Sequence, residues 1–106
     1  MNKIILGLDI STSKVGLCMM DYNFKLLKTE VIKLDTKKHL EDRCVFLEDY
    51  INKIKHLSDI NNVFIESPFV MFSGGKTTAM TMSKLQRFNG MVSYMIRRKL
   101  NITPVQ

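Results

Sequence analysis

From Lys3 to Asp9 the chain reads Lys-Ile-Ile-Leu-Gly-Leu-Asp, a continuous apolar run closed by an acid. A run of that kind predicts a central strand buried on both faces. Lys14 to Met20 and Lys25 to Leu34 are two further strand-like segments on either side of the polar turn Asp21-Tyr22-Asn23, which together predict an antiparallel meander. From Thr36 the period changes. Leu40, Cys44, Leu47, Ile51 and Ile54 recur at alternating spacings of four and three, the pattern of an amphipathic helix. Ser58-Asp59 and Asn61-Asn62 mark its end. Val63-Phe64-Ile65 then predicts a short strand running into Glu66 and closed by Ser67-Pro68. Residues 69 to 78 form a glycine-containing loop, and Ala79 to about Leu100 is a second long helix with Leu85, Phe88, Val92 and Met95 on one face. Asn101 to Gln106 reads as the beginning of a new strand.

The order strand, strand, strand, helix, strand, helix, with a strand beginning after it, predicts an α/β fold. Its mixed sheet carries a three-strand antiparallel meander followed by parallel strands, with helices covering the faces. A return from strand through helix to a parallel strand places Val63 to Glu66 beside the first strand, pointing the same way. At 106 residues the chain is the size of one small domain, and 1–106 is read as a single unit.

Composition narrows the class. The apolar share of 45% and charged share of 25% are those of an ordinary globular protein. No apolar run approaches a membrane span, and Ile4-Ile5-Leu6 is too short for a secretory signal, so a cytoplasmic protein is expected. Cys18 and Cys44 lie far apart without metal-site spacing and are read as reduced, partly buried thiols. His39 and His56 lack acidic neighbours at ligand spacing and are read as surface residues. A net charge of +6 and a sequence pI near 9.5 make a polyanionic partner plausible without naming it.

Asp9 closes the first predicted strand and Glu66 closes the fourth. If those strands are parallel neighbours about 4.8 Å apart, both carboxylates emerge at one edge of the sheet. Paired carboxylates repel unless a cation lies between them, and hard oxygen ligands suit Mg²⁺ or Mn²⁺. Acids at strand ends are also commonly solvated surface residues, so the pattern alone leaves both readings open. Should the pair fail, Asp21, Asp35 and Asp59 are the next acids to consider.

The stretch Ile5-Leu6-Gly7-Leu8-Asp9-Ile10-Ser11-Thr12-Ser13-Lys14-Val15-Gly16 resembles the first motif of the RuvC-type Holliday-junction resolvases, in a variant with Asp-x-Ser. Val63-Phe64-Ile65-Glu66, an aromatic-bearing loop, a lysine, and a helix with Leu85, Gln86, Arg87 and Gly90 are similar to that family's second motif. The resemblance covers nearly the whole chain. It implies an RNase H-like fold in a bacterial or phage-infected cell, a homodimer through the helix 79–100, and Mg²⁺-dependent cutting of a four-way DNA junction, with Mn²⁺ as substitute. Asp9 and Glu66 carry over as catalytic and metal-binding acids. The family's third and fourth acids lie beyond a fifth strand. Without them the domain is incomplete at its C-terminus, and unaided catalysis by this chain is not expected.

DNA contacts are expected from Ser11, Phe69, Phe72, Ser73, Lys76, Thr77, Lys84 and Arg87. The segment Ser73-Gly74-Gly75-Lys76-Thr77-Thr78 precedes a helix, where backbone N–H groups hold phosphates. It lacks the glycine a nucleotide loop needs where Val70 stands, so nucleoside triphosphate binding is not expected. Phe69 and Phe72 suit either stacking on an unpaired base or the core. Lys76, Lys84 and Arg87 are the cations nearest the acids, while Arg97, Arg98 and Lys99 read as solvated surface. Gly90 inside the helix predicts close approach by another backbone, from the sheet or from a second subunit. Two other functions fit parts of the pattern. Actin-like ATPases and sugar kinases open with a similar strand, acid and small-residue turn, and a non-catalytic DNA-binding or dimerisation module needs no further acids.

Overall fold

In the computed structural model, which describes residues 3–66 and 76–106, the chain forms β1 (Lys3–Ile10), β2 (Lys14–Asp21), β3 (Leu26–Lys33), α1 (Leu40–Leu57), β4 (Asp59–Ile65) and α2 (Lys76–Leu100). The sheet order is β3-β2-β1-β4. The first three strands pair antiparallel as a meander, and β4 lies parallel to β1 on its other side.

Each hairpin has a local cause. Ser11 Oγ donates to Lys14 O at 2.7 Å and accepts from Lys14 N–H, which closes the turn between β1 and β2. In the next turn, Asp21 Oδ1 accepts the N–H groups of Asn23 and Lys25, while Phe24 takes a left-handed φ of 63°. Asn101, with φ 56°, ends α2 in the left-handed conformation that asparagine tolerates better than most residues.

Side chains of β1 alternate. Ile4, Leu6, Leu8 and Ile10 are buried, whereas Ile5 and Gly7 are half-exposed and Asp9 is exposed. The expected burial on both faces therefore fails, because α1 and α2 both cover the same side of the sheet. Leu47 and Ile51 of α1 and Phe88, Val92 and Ile96 of α2 join the inward residues of all four strands in one cluster. Each such fully buried apolar side chain contributes roughly 1.5 to 3 kcal/mol. The opposite face carries Cys18, Val31 and Phe64 and is uncovered by any described element.

The second departure is at β4. Asn61 and Asn62 do not form a turn, because Ser58 is already extended at φ −144° and the strand begins at Asp59. The register with β1 jumps from Ile4↔Ile60 to Ile5↔Asn62, so Asn61 is the extra residue of a bulge. Tyr22 Oη donates to Asn62 Oδ1 across the hairpin end. After α2, the chain returns to the β4 edge. Ile65 N–H donates to Val105 O at 2.8 Å and Val105 N–H to Val63 O at 2.9 Å, a single parallel bridge in place of the expected new strand.

Candidate metal centre

The two-residue alternation that sends Leu8 and Ile10 into the core sends Asp9 to the open face. Glu66 follows β4 directly and is also exposed. Leu8 pairs with Ile65, and Glu66 N–H then donates to Leu8 O at 3.0 Å, which carries the parallel ladder one residue beyond the strand. Asp9 and Glu66 thereby become side-by-side neighbours. Hydrogen bonding of the protonated Glu66 carboxyl to Asp9, then the negative charge of Asp9, then desolvation raises the Glu66 carboxyl above its ordinary range.

A glycine stands beside this pair. Gly16 is the cross-strand partner of Asp9, and a Cβ built there would lie 3.5 Å from Asp9 Cβ. The carboxylates border a shallow depression of about 840 Å³ on the open face, whose apolar floor includes Cys18, Val31 and Phe64. Two exposed carboxylates on adjacent strand ends, whose negative charges repel, are a donor set that fits Mg²⁺ or Mn²⁺ between them. Among the described residues no cluster of three or more His, Cys, Asp and Glu converges, so these residues offer such a site two ligands, Asp9 and Glu66.

The other acids lie elsewhere. Asp21 and Asp59 pair with Ile4 and Lys3 at the opposite end of β1, and the Asp35 carboxylate accepts the Lys37 N–H at 3.0 Å. Lys84 and Arg87 are exposed on α2. Lys76 and Thr77 occupy the first turn of that helix, which begins three residues earlier than the apolar pattern indicated; their side chains lie outside the described residues, as do Phe69, Phe72 and Ser73. Ser11 spends its hydroxyl on the turn that follows Asp9. Gly90 is exposed with nothing within 4 Å of a Cβ built on it, so no described backbone of the same chain approaches it.

Sequence reasoning missed Arg43. It is only 4% exposed. Its guanidinium donates from Nε to Lys38 O at 3.0 Å, from Nη1 to Thr12 O at 2.6 Å and from Nη2 to Thr36 O at 2.7 Å. The arginine thus ties α1 and the segment before it to the turn after Asp9. Its signal was faint: one charge adjoining the apolar stripe of α1, beside Cys44.

Comparison with solved structures decides the architecture. Thermus thermophilus RuvC in complex with a Holliday-junction substrate superposes with a TM-score of 0.59 at 14% identity, over 98% of this chain and 82% of that one. A second structure of Thermus thermophilus RuvC gives 0.55 at 14% identity, over 97% and 83%. The fold is RNase H-like. Three antiparallel strands and one parallel strand with two helices reproduce that arrangement, as the sequence pattern predicted. No family model matches the chain, and no curated protein matches it. Among the described residues, no helix is long and apolar enough to cross a membrane.

Proposed function

We propose that this protein is a divalent-metal-dependent nuclease of branched DNA, acting on four-way junctions through Asp9 and Glu66. The observation that carries the reading is the adjacency of those two carboxyl groups at adjoining ends of parallel neighbours β1 and β4. Asp9 and Glu66 would hold the ion, and the glycine opposite Asp9 would leave room for a phosphate beside them. A bound Mg²⁺ or Mn²⁺ supplies charge neutralisation and an activated water for phosphodiester hydrolysis. Because the described residues provide two ligands, the expectation for the chain by itself is junction binding without rapid cutting.

Exposed cations on α2 and the net charge of +6 support a DNA partner. The fold shared with a resolvase solved on its junction supports the choice of branched substrate. A homodimer through α2 belongs to the same reading. Gly90 is open to a second backbone, and Tyr94 stands 65% exposed one turn further on.

The test is fluorescence anisotropy with a labelled four-way junction and a linear duplex of equal length, in Ca²⁺ to suppress cutting. Tighter binding to the junction is expected. Equal affinity for the two removes the junction-specific part of the reading.

A further inference from the structure

A second polar feature lies at the same end of the sheet as the carboxylate pair. The segment between β3 and α1 meets α2 across a cleft of about 450 Å³, into which Lys37, Lys38, Lys84 and Arg87 converge. Arg43 forms part of the wall, and Glu41 is the one carboxylate lining it. Lys84 and Arg87 stand three residues apart on α2, a spacing that puts both on one helix face.

Two independent observations make this more than scattered surface charge. The guanidinium of Arg43 is almost fully buried, yet its partners are neutral carbonyls. Among the described residues it has no ion pair, so its charge adds to the field of the cleft. The N-cap of α1, His39, makes no side-chain capping bond, which leaves the first N–H groups of that helix to solvent or a ligand beside the cleft. Asp35 and Asp42 lie outside the cleft, in the neighbouring depression that Lys38 and Arg43 also line, and the Asp35 carboxylate accepts the Lys37 N–H.

Given the nuclease reading, on which this step rests, we infer that the cleft binds adjacent backbone phosphates of the DNA away from the site of cutting. Lys37 and Lys38 join Lys84 and Arg87 as the contacting cations, and Arg43 fixes the geometry of the segment carrying the two lysines. The link to the carboxylates is physical. Arg43 Nη1 holds Thr12 O, three residues beyond Asp9, so the cleft on the helix side and the acids on the open face lie at the same end of the sheet.

The experiment measures junction affinity against salt for the full chain, for Lys37→Gln/Lys38→Gln, and for Lys25→Gln/Lys53→Gln, which removes the same charge from exposed positions outside the cleft. Loss of two phosphate contacts makes the slope of log affinity on log salt shallower by about 1.8, against no change from loss of uncontacted charge. The cleft variant is expected to show that change with Mn²⁺ affinity intact, and the control to stay within about twofold of the parent. Equal losses from both pairs of substitutions overturn the cleft and leave the nuclease reading standing. A parent chain that binds no DNA at low salt overturns both.

Discussion

Replacing Arg43 by Met keeps the aliphatic stem and deletes a guanidinium that holds three carbonyls at 2.6 to 3.0 Å. Hydrogen bonds from a charged donor contribute roughly 1.5 to 3 kcal/mol each, so three set a gross loss of about 4.5 to 9 kcal/mol. The net is smaller. Thr36 and Lys38 are exposed, so their carbonyls regain water, whereas Thr12 is half-buried and its carbonyl is harder to satisfy. Removing a buried charge also relieves its desolvation. We therefore expect a destabilisation of about 3 kcal/mol. With a urea m-value of roughly 1.5 kcal/mol/M, that is a fall of about 2 M in the unfolding midpoint at unchanged m. Equilibrium unfolding followed by circular dichroism reads it directly. A change within about 0.5 kcal/mol, ordinary for a surface substitution, would show that the arginine is not the clamp its contacts describe.

The carboxylate pair gives a prediction with a definite sign. Glu66 has a raised pKa, so its proton stabilises the fold below the ordinary glutamate range, and that contribution is lost as pH rises through the raised value. In chelator at pH 8, Asp9→Asn should raise the melting temperature by removing the repulsion, and added Mg²⁺ should stabilise the parent more than the variant; a variant that melts lower in chelator contradicts the repulsion. Burial, with Glu48 beside it, pushes the Cys44 thiol up to about 11. At pH 8 Cys44 should alkylate on the order of 100-fold more slowly than a free thiol and become fast in denaturant, as peptide mass spectrometry would resolve. Junction binding should weaken steeply between low and physiological salt, and an affinity independent of salt would remove the phosphate contacts from the account.

The helices and the meander were legible because their apolar periods are long and uninterrupted. Leu40 to Ile54 holds its stripe through four turns, and the core positions of α2 fall where Phe88, Val92 and Met95 predicted them. Local signals misled where tertiary structure supplies the reason for a residue. Asn61-Asn62 has the composition of a turn, but pairing with β1 draws it into a strand, and the bulge absorbs the extra residue. The run Ile4-Ile5-Leu6 reads as two-sided burial because composition does not say how many faces a helix covers. Gly90 reads as a close approach, yet among the described residues nothing lies within 4 Å of a Cβ built on it. The adjacency of Asp9 and Glu66 was accessible from topology, since parallel neighbours place their C-terminal ends together. Arg43 and the lysines before α1 were not, because their meeting with α2 depends on how the chain crosses from β3 to the helix.

The central claim is that Asp9 and Glu66 form one divalent-metal site, and Mn²⁺ binding followed by electron paramagnetic resonance tests it most directly. Two protein ligands predict weak binding of one ion. That binding should strengthen as pH rises and the Glu66 proton is released, and it should be lost in both Asp9→Asn and Glu66→Gln. Mn²⁺ binding that survives either substitution unchanged would place the metal elsewhere and contradict the account.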